Sequence, residues 1–532
     1  MSSVRYGTHT SSSQIFGLTL VAVVSCGLMI SCSSGPPISK ATLSGNTEVT
    51  VLVTGTANDQ LTAFDIGFQN ITLTSQSGKT VTLLSASNSI GAEFMHINGT
   101  AEPLVTASIP QGVYTSASIT FAGSQFTCTA LGPVQGQQSL SSATYQYSGP
   151  FPAIANVTFS TPLTISGDSA YLLLDLLVSQ SATIGNCLNV DGFYGFSITP
   201  NFSLSPLTVS SSQTNTVNGK VLGVDGEITA IASGSTGFTL SIPNVDGARP
   251  VSVTSDSNTV YQNISDFSAL RAGMFVDMDG DIEPNGSVLA TRVAVEDPSA
   301  GDVLRGPLIE VASSVSIVNI YAQDWQGKDV AGFGGAGSFP FNYSGALFQI
   351  SGQFTNLDSL PFVPSFSAAN MVTGQEAYIS AASMADTGYP TATTITLMPQ
   401  TIDGTVTASS TAGDFTDYTV SLASYDLFPM LASQPSQTAI ENNPSQVEVY
   451  VDSNTQQLNT QALASGGTFR FYGLVFNDDG TLRMDCAQVN DGVPFTPQAN
   501  SASQIRAGYV QTIRQQSAGG LQLITTTVTH SR

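Results

Sequence analysis

At 532 residues the chain exceeds what one hydrophobic core supports, so several domains are expected. Asp and Glu number 37 against 14 Lys and Arg, a net charge of −23, which argues against nucleic acid or anionic headgroups held by bulk electrostatics. Only 10% of residues are charged, and Thr, Val and Ser alternate where Lys and Glu would line helices; the chain reads as strands.

The first element is an apolar run of 16 residues, Ile15 to Ile30, with Arg5 the only charge before it. That length is short for a spanning helix and suits a secretory signal. Met29-Ile30-Ser31-Cys32 resembles the bacterial lipobox, in which the cysteine is acylated and becomes residue one; Val23-Val24-Ser25-Cys26 is a poorer candidate. The resemblance makes residues 1–31 a lipoprotein signal peptide, Cys32 the lipidation site and 32–46 a tether. Removing 1–31 takes away Arg5 and no acid, leaving 37 acids against 13 bases. By analogy with known lipoproteins, Ser33 after the cysteine suits outer-membrane sorting, so the chain is expected in the cell envelope, held to the membrane by its N-terminal lipid.

Residues 47–207 carry about eight alternating or apolar stretches, which suit a two-sheet β-sandwich. They include Val49 to Val53, Phe64 to Phe68, Ile71 to Leu73, Thr80 to Leu83 behind a turn at Gly78, and Ser116 to Phe121. Tyr171 to Val178 is apolar enough to be covered on both faces. Cys128 and Cys187 fall in this segment, and outside the cytosol they are the pair expected to form a disulfide; Cys486 is left as a buried small hydrophobe. Asn58-Asp59, the step Ile109-Pro110-Gln111-Gly112-Val113-Tyr114, and Pro162-Leu163-Thr164-Ile165 leading into Tyr171 resemble an uncharacterised domain found behind the tether of many bacterial lipoproteins. Such sandwiches are similar to carbohydrate-binding or prealbumin-like folds, and the resemblance implies a fold rather than an activity.

Beyond residue 210 three segments open alike, at Val217-Asn218-Gly219-Lys220-Val221, Leu304-Arg305-Gly306-Pro307-Leu308 and Ile402-Asp403-Gly404-Thr405-Val406. Two close on a hairpin whose tight turn is signalled by Asn285-Gly286 or Asp479-Gly480; in the middle unit Gly388-Tyr389-Pro390 replaces that turn. The expected modules are small β-barrels over 214–300, 301–399 and 400–493, with C-terminal strands and tail over 494–532. They resemble a second family of uncharacterised bacterial repeats, similar to small oligonucleotide/oligosaccharide-binding barrels. The fold class is all-β: an N-terminal sandwich followed by three tandem small barrels.

Chemistry-bearing constellations are few. Gly332-Phe333-Gly334-Gly335-Ala336-Gly337 spells a dinucleotide fingerprint but is followed by Ser338-Phe339-Pro340 rather than a helix. Asp277-Met278-Asp279-Gly280-Asp281-Ile282-Glu283 offers carboxylates without EF-hand spacing, and reads as a solvated hairpin end before a calcium site. Glu93-Phe94-Met95-His96 has di-iron spacing but no second copy. A Ser-His-Asp triad would need His96, since His530 lies in the tail, and no nucleophile elbow accompanies it. No catalytic residue, metal site or cofactor is therefore expected. An insertion from Ser313 to Ser344 holds Tyr321, Tyr343 and the only tryptophan, Trp325. Such rings either stack on sugar or fill a satellite core under the loop. The function expected is a non-enzymatic structural or adhesive envelope protein with envelope-protein partners; the alternative is a glycan- or cell-wall-polymer-binding lipoprotein with these rings as its ligand site.

Overall fold

A computed structural model describes residues 43–56, 61–97, 99–130, 143–148, 154–184, 196–198, 201–207, 209, 220–244, 247–296, 301–327, 337–352, 357–381, 389–423, 427–432, 445–492, 509–517 and 520–528. Cys32, Cys187, His530 and the glycine run 332–336 lie outside them, as does the side chain of Cys128. Residues 44–532 form one compact unit. It is all-β, and among the described residues its α-helices are two of four and six residues, Val178–Ser181 and Leu427–Ala432. No described helix is long and apolar enough to cross a membrane.

The sandwich packs a four-stranded sheet on a seven-stranded one. Val49, Val51 and Val53 of strand Asn46–Thr56 face Phe64, Ile66 and Phe68 of strand Leu61–Ser75 in one core. Phe64–Phe68 and Ile71–Leu73, which read as two strands, are one strand with an irregularity between Phe68 and Asn70, so the side-chain alternation restarts there. The Pro-x-Gly-x-Tyr step behaves as its chemistry suggests. Pro110 ends one strand, Gly112 begins the next, and buried Tyr114 donates its hydroxyl to the Pro110 carbonyl at 2.6 Å. Strand Ser169–Leu177 is covered on both faces: Leu172, Leu174 and Leu176 enter the sandwich core, while Tyr171 and Leu173 pack on the first barrel. The C-terminal hairpin, Tyr509–Ser517 with Gly520–Val528, joins the seven-stranded sheet by pairing with Ala143–Ser148.

The first and third modules are closed five-strand barrels. In the first, Lys220–Ile231, Gly237–Ile242, Arg249–Gln262, Val288–Val295 and Phe275–Ile282 neighbour one another in that order. The third repeats that path with Gln400–Ala412, Phe415–Leu422, Gln446–Val451, Thr481–Asp491 and Thr468–Asp478. Its tight turn uses positive φ at Asp479 (47°) and Gly480 (86°), as the Asp-Gly signal implies. In the middle module the insertion adds strands Ile317–Ala322, Asp324–Gly327 and Gly337–Asn342, and seven strands pair without closing among the described residues.

The three opening strands share a constraint. A Cβ on Gly306 would lie 1.8 Å from the Tyr321 carbonyl oxygen, on Gly404 2.7 Å from that of Ser421, and on Gly226 2.6 Å from that of Ser241. Gly226, not Gly219, is therefore the first module's counterpart of Gly306 and Gly404. Each strand passes so close to its hairpin partner that only hydrogen fits. Ala at Gly306 is expected to lower stability by about 2 kcal/mol or more, since the backbone must part to admit a methyl. Ala at Gly112, whose Cβ would meet nothing closer than 3.6 Å, serves as the control in the same thermal melts.

Asp485, on strand Thr481–Asp491, is pushed up from 3.8 to about 6 by burial, with Asp452 adding to it. In the unfolded chain it ionises near 3.8, so its contribution is complete below that pH and is lost as pH rises through about 6. Asp485→Asn is expected to remove a decline of up to about 3 kcal/mol between those values, read from urea unfolding at several pH values.

Candidate functional site

The modules are not strung out as beads. Asn244 of the first barrel donates to Asp65 of the sandwich at 2.8 Å, and the Gly91 amide donates to the Gly247 carbonyl at 2.8 Å. Gln262 reaches from the first barrel to Gly352 of the middle module, and Gln375 from the middle module to Val475 of the third. The third module returns to the sandwich, where Arg470 donates to the Gly55 carbonyl at 2.9 Å and Gln488 to that of Gly99 at 2.8 Å. Four modules thus close into a ring, and the charged residue preceding each constrained glycine, Asp225, Arg305 or Asp403, is buried within it.

His96 sits where three modules meet. The turn carrying it is fixed by Glu93, whose Oε1 accepts the amides of Phe64 at 2.6 Å and Met95 at 3.0 Å, and whose Oε2 accepts that of His96. The E-x-x-H spacing is therefore a capped turn that aims an imidazole. Burial pushes Glu93 up to about 7 despite these donors.

His96 Nδ1 lies 2.7 Å from Asp324 Oδ2 of the middle module, and Nε2 lies 3.2 Å from Glu102 Oε1 and 3.8 Å from Asp225 Oδ2. All four side chains are 5% exposed or less. Arg249 donates to Glu102 Oε2 and to the Gly91 carbonyl. Arg305 reaches from the middle module to Asp225 Oδ2 and the Gly223 carbonyl, with Glu376 Oε1 at 3.4 Å from its Nε. Beside them, Arg292 bridges Asp277 and Asp279, and Asp279 also accepts the Gly223 amide at 2.8 Å.

Burial disfavours charge on the His96 ring, but the Asp324 carboxylate overrides it and holds the imidazole well above its ordinary range, against Arg305. Burial also lifts Asp225 well above the usual carboxylate range, with Arg305 opposing and Asp277 and Asp324 adding to it. For Glu102, burial is outweighed by Arg249 and His96, so its carboxyl stays below the ordinary value. The charges are paired, but the pairing is incomplete. Asp225 Oδ1 is buried without a hydrogen bond, while Asp324 Oδ2, Glu102 Oε1 and His96 Nδ1 are buried and held only by ion-pair contacts at 2.7 and 3.2 Å.

The residues singled out in the sequence fall as follows. Asp277 and Asp279 share one buried face of their strand, 1% and 6% exposed, rather than a solvated hairpin end, because Arg292 from the paired strand neutralises both. Asp281 faces Lys220 at 3.7 Å, and Glu283 accepts from Thr254 and Ser287. Trp325 (9%), Tyr343 (5%) and Tyr321 (1%) are buried; the first two pack in the middle module's core, and Tyr321 lies against Ala63, Ile309 and Leu431. Cys486 is a buried free thiol. The ionic hub itself was missed. Its signal is a charged residue directly before glycine within an apolar strand, at Asp225-Gly226, Arg305-Gly306 and Asp403-Gly404.

Residues 225–294, beginning at Asp225 itself, match the family model described as Domain of unknown function (DUF5666). No curated protein and no solved structure matches the chain.

Removing the charge of Arg305 would strand Asp225 in the interior. Arg305→Met is expected to cost about 3–5 kcal/mol in urea unfolding, while Arg271→Met at an exposed position changes it by less than about 0.5 kcal/mol.

Proposed function

We propose that the protein is a non-enzymatic envelope component, anchored by lipid on Cys32, that acts in a structural or adhesive role as one rigid body. The observation that supports this best is the closed ring of modules joined through buried ion pairs, from Arg249–Glu102 to Arg305–Asp225. A ring so joined resists deformation and offers no hinge between modules for substrate closure. The burial of Tyr321, Trp325 and Tyr343 supports the structural reading over the glycan-binding one, because stacking on sugar needs an exposed ring face. The acidic balance supports envelope proteins or neutral polymers as partners over nucleic acid.

The fragment Ser33–Arg532 is expected to unfold in a single transition and to give no signal on an array of glycans and cell-wall polymers. The full chain is expected to incorporate a palmitate analogue and fractionate with membranes, both lost in Cys32→Ser. Array binding that survives washing would replace this reading with polymer capture, and label retained by Cys32→Ser would overturn the anchor.

A further inference from the structure

We propose that His96, Asp225 and Asp324 bind a divalent cation of the zinc class, pinning the sandwich, the first barrel and the middle module together. Their ligand atoms lie within 4.8 Å of one another, one residue from each module. Donors sharing one ion at about 2.0–2.2 Å each lie no more than about 4.4 Å apart, so small side-chain rotations would bring the three onto one ion.

Two independent observations point to a ligand there. The first is the inventory of unpaired atoms. Asp225 gives Oδ2 to Arg305 and has no hydrogen bond at Oδ1, and Asp324 Oδ2 and His96 Nδ1 are buried with only their mutual 2.7 Å ion-pair contact. Burying ligand-type atoms without their full complement of hydrogen bonds is costly, and an ion would satisfy them together. The second is charge. Glu93, Glu102, Asp225, Asp277, Asp279 and Asp324 are buried in or beside the hub together with three guanidinium groups, those of Arg249, Arg292 and Arg305. Six potential anions against three guanidinium groups and the imidazolium of His96 still leave a deficit, which a divalent ion taking the place of the ring proton reduces.

The surroundings resemble a second shell. The imidazole has one nitrogen for a metal and the other for a carboxylate, and Glu102, itself held by Arg249, stands ready at the Nε2 side. One imidazole nitrogen with carboxylate oxygens favours Zn²⁺ over Ca²⁺, which takes six to eight oxygens. A site so buried would be filled as the chain folds rather than afterwards. This inference does not rest on the envelope role.

The test refolds the chain from denaturant with EDTA or with one equivalent of Zn²⁺ or Co²⁺, followed by desalting and elemental analysis. Wild type is expected to retain about one metal per chain, to melt at higher temperature with Zn²⁺, and to give a Co²⁺ visible spectrum. Asp324→Asn and His96→Gln, near-isosteric and checked for folding by circular dichroism, are expected to lose at least tenfold in occupancy and to lose that spectrum. The proposal is overturned if wild type refolds with less than a tenth of an equivalent and an unchanged melt. In that outcome a protonated His96 alone bridges the acids, visible as an imidazolium in nitrogen NMR. It is equally overturned if the folded variants retain metal as wild type does, which would place the ion elsewhere.

Discussion

The burial of Arg305 against Asp225 constrains everything around it. Taking a guanidinium and a carboxylate out of water costs several kcal/mol each, and the attraction between them offsets this only where every remaining donor and acceptor is met. Arg305 meets its side of that condition by spanning a boundary: its module supplies the cation, while the first barrel supplies Asp225 Oδ2 and the Gly223 carbonyl, and Asp225 Oδ1 is the acceptor left over. The sandwich lays His96 and Glu102 alongside. Docked any other way, the modules would strand a charge in the dry interior. The ionic hub therefore selects one arrangement of modules, whatever its net contribution to stability.

The hub also changes how the composition should be read. Among the described residues eleven acids and four bases are buried, out of 37 and 14 in the sequence. Acidity that reads as surface charge in the composition thus serves the interior at eleven of the described positions.

Local patterns in the sequence carried the local structure. Alternation gave Val49 to Val53 their strand, Asn-Gly and Asp-Gly marked the barrel hairpins, and Pro110 with Tyr114 marked the turn into a core strand. The all-β class with a sandwich and small barrels follows from these signals. The first repeat was legible but out of register, because Val217-Asn218-Gly219 and Val224-Asp225-Gly226 both place a polar residue before glycine and only the close approach of a partner strand tells them apart. The hub was not legible, because its members come from different modules and no local spacing relates them. Asp277 and Asp279 looked solvated because their neutralising Arg292 lies on the facing strand, and an acidic run carries no sign of a distant cation. For the aromatic insertion, composition is the same whether rings face sugar or one another; depth alone separates the cases.

The bond from Arg470 to the Gly55 carbonyl joins residues 415 positions apart, and that separation bears on how the chain reaches its native state. Domains generally form in order of synthesis, each burying its own core before the next appears. Here the earliest modules can bury their apolar faces in turn, but Gly55 must wait for almost the whole chain to be made before its guanidinium arrives. Until then the central charges stay hydrated, and surfaces such as Leu52 and Ala63 remain uncovered by their eventual neighbours. Ring closure of such range carries a large entropic toll before any reward, so the last step should be slow and the waiting intermediates adhesive. The architecture that makes the finished body rigid thereby makes its assembly dependent on something that shields half-built rings.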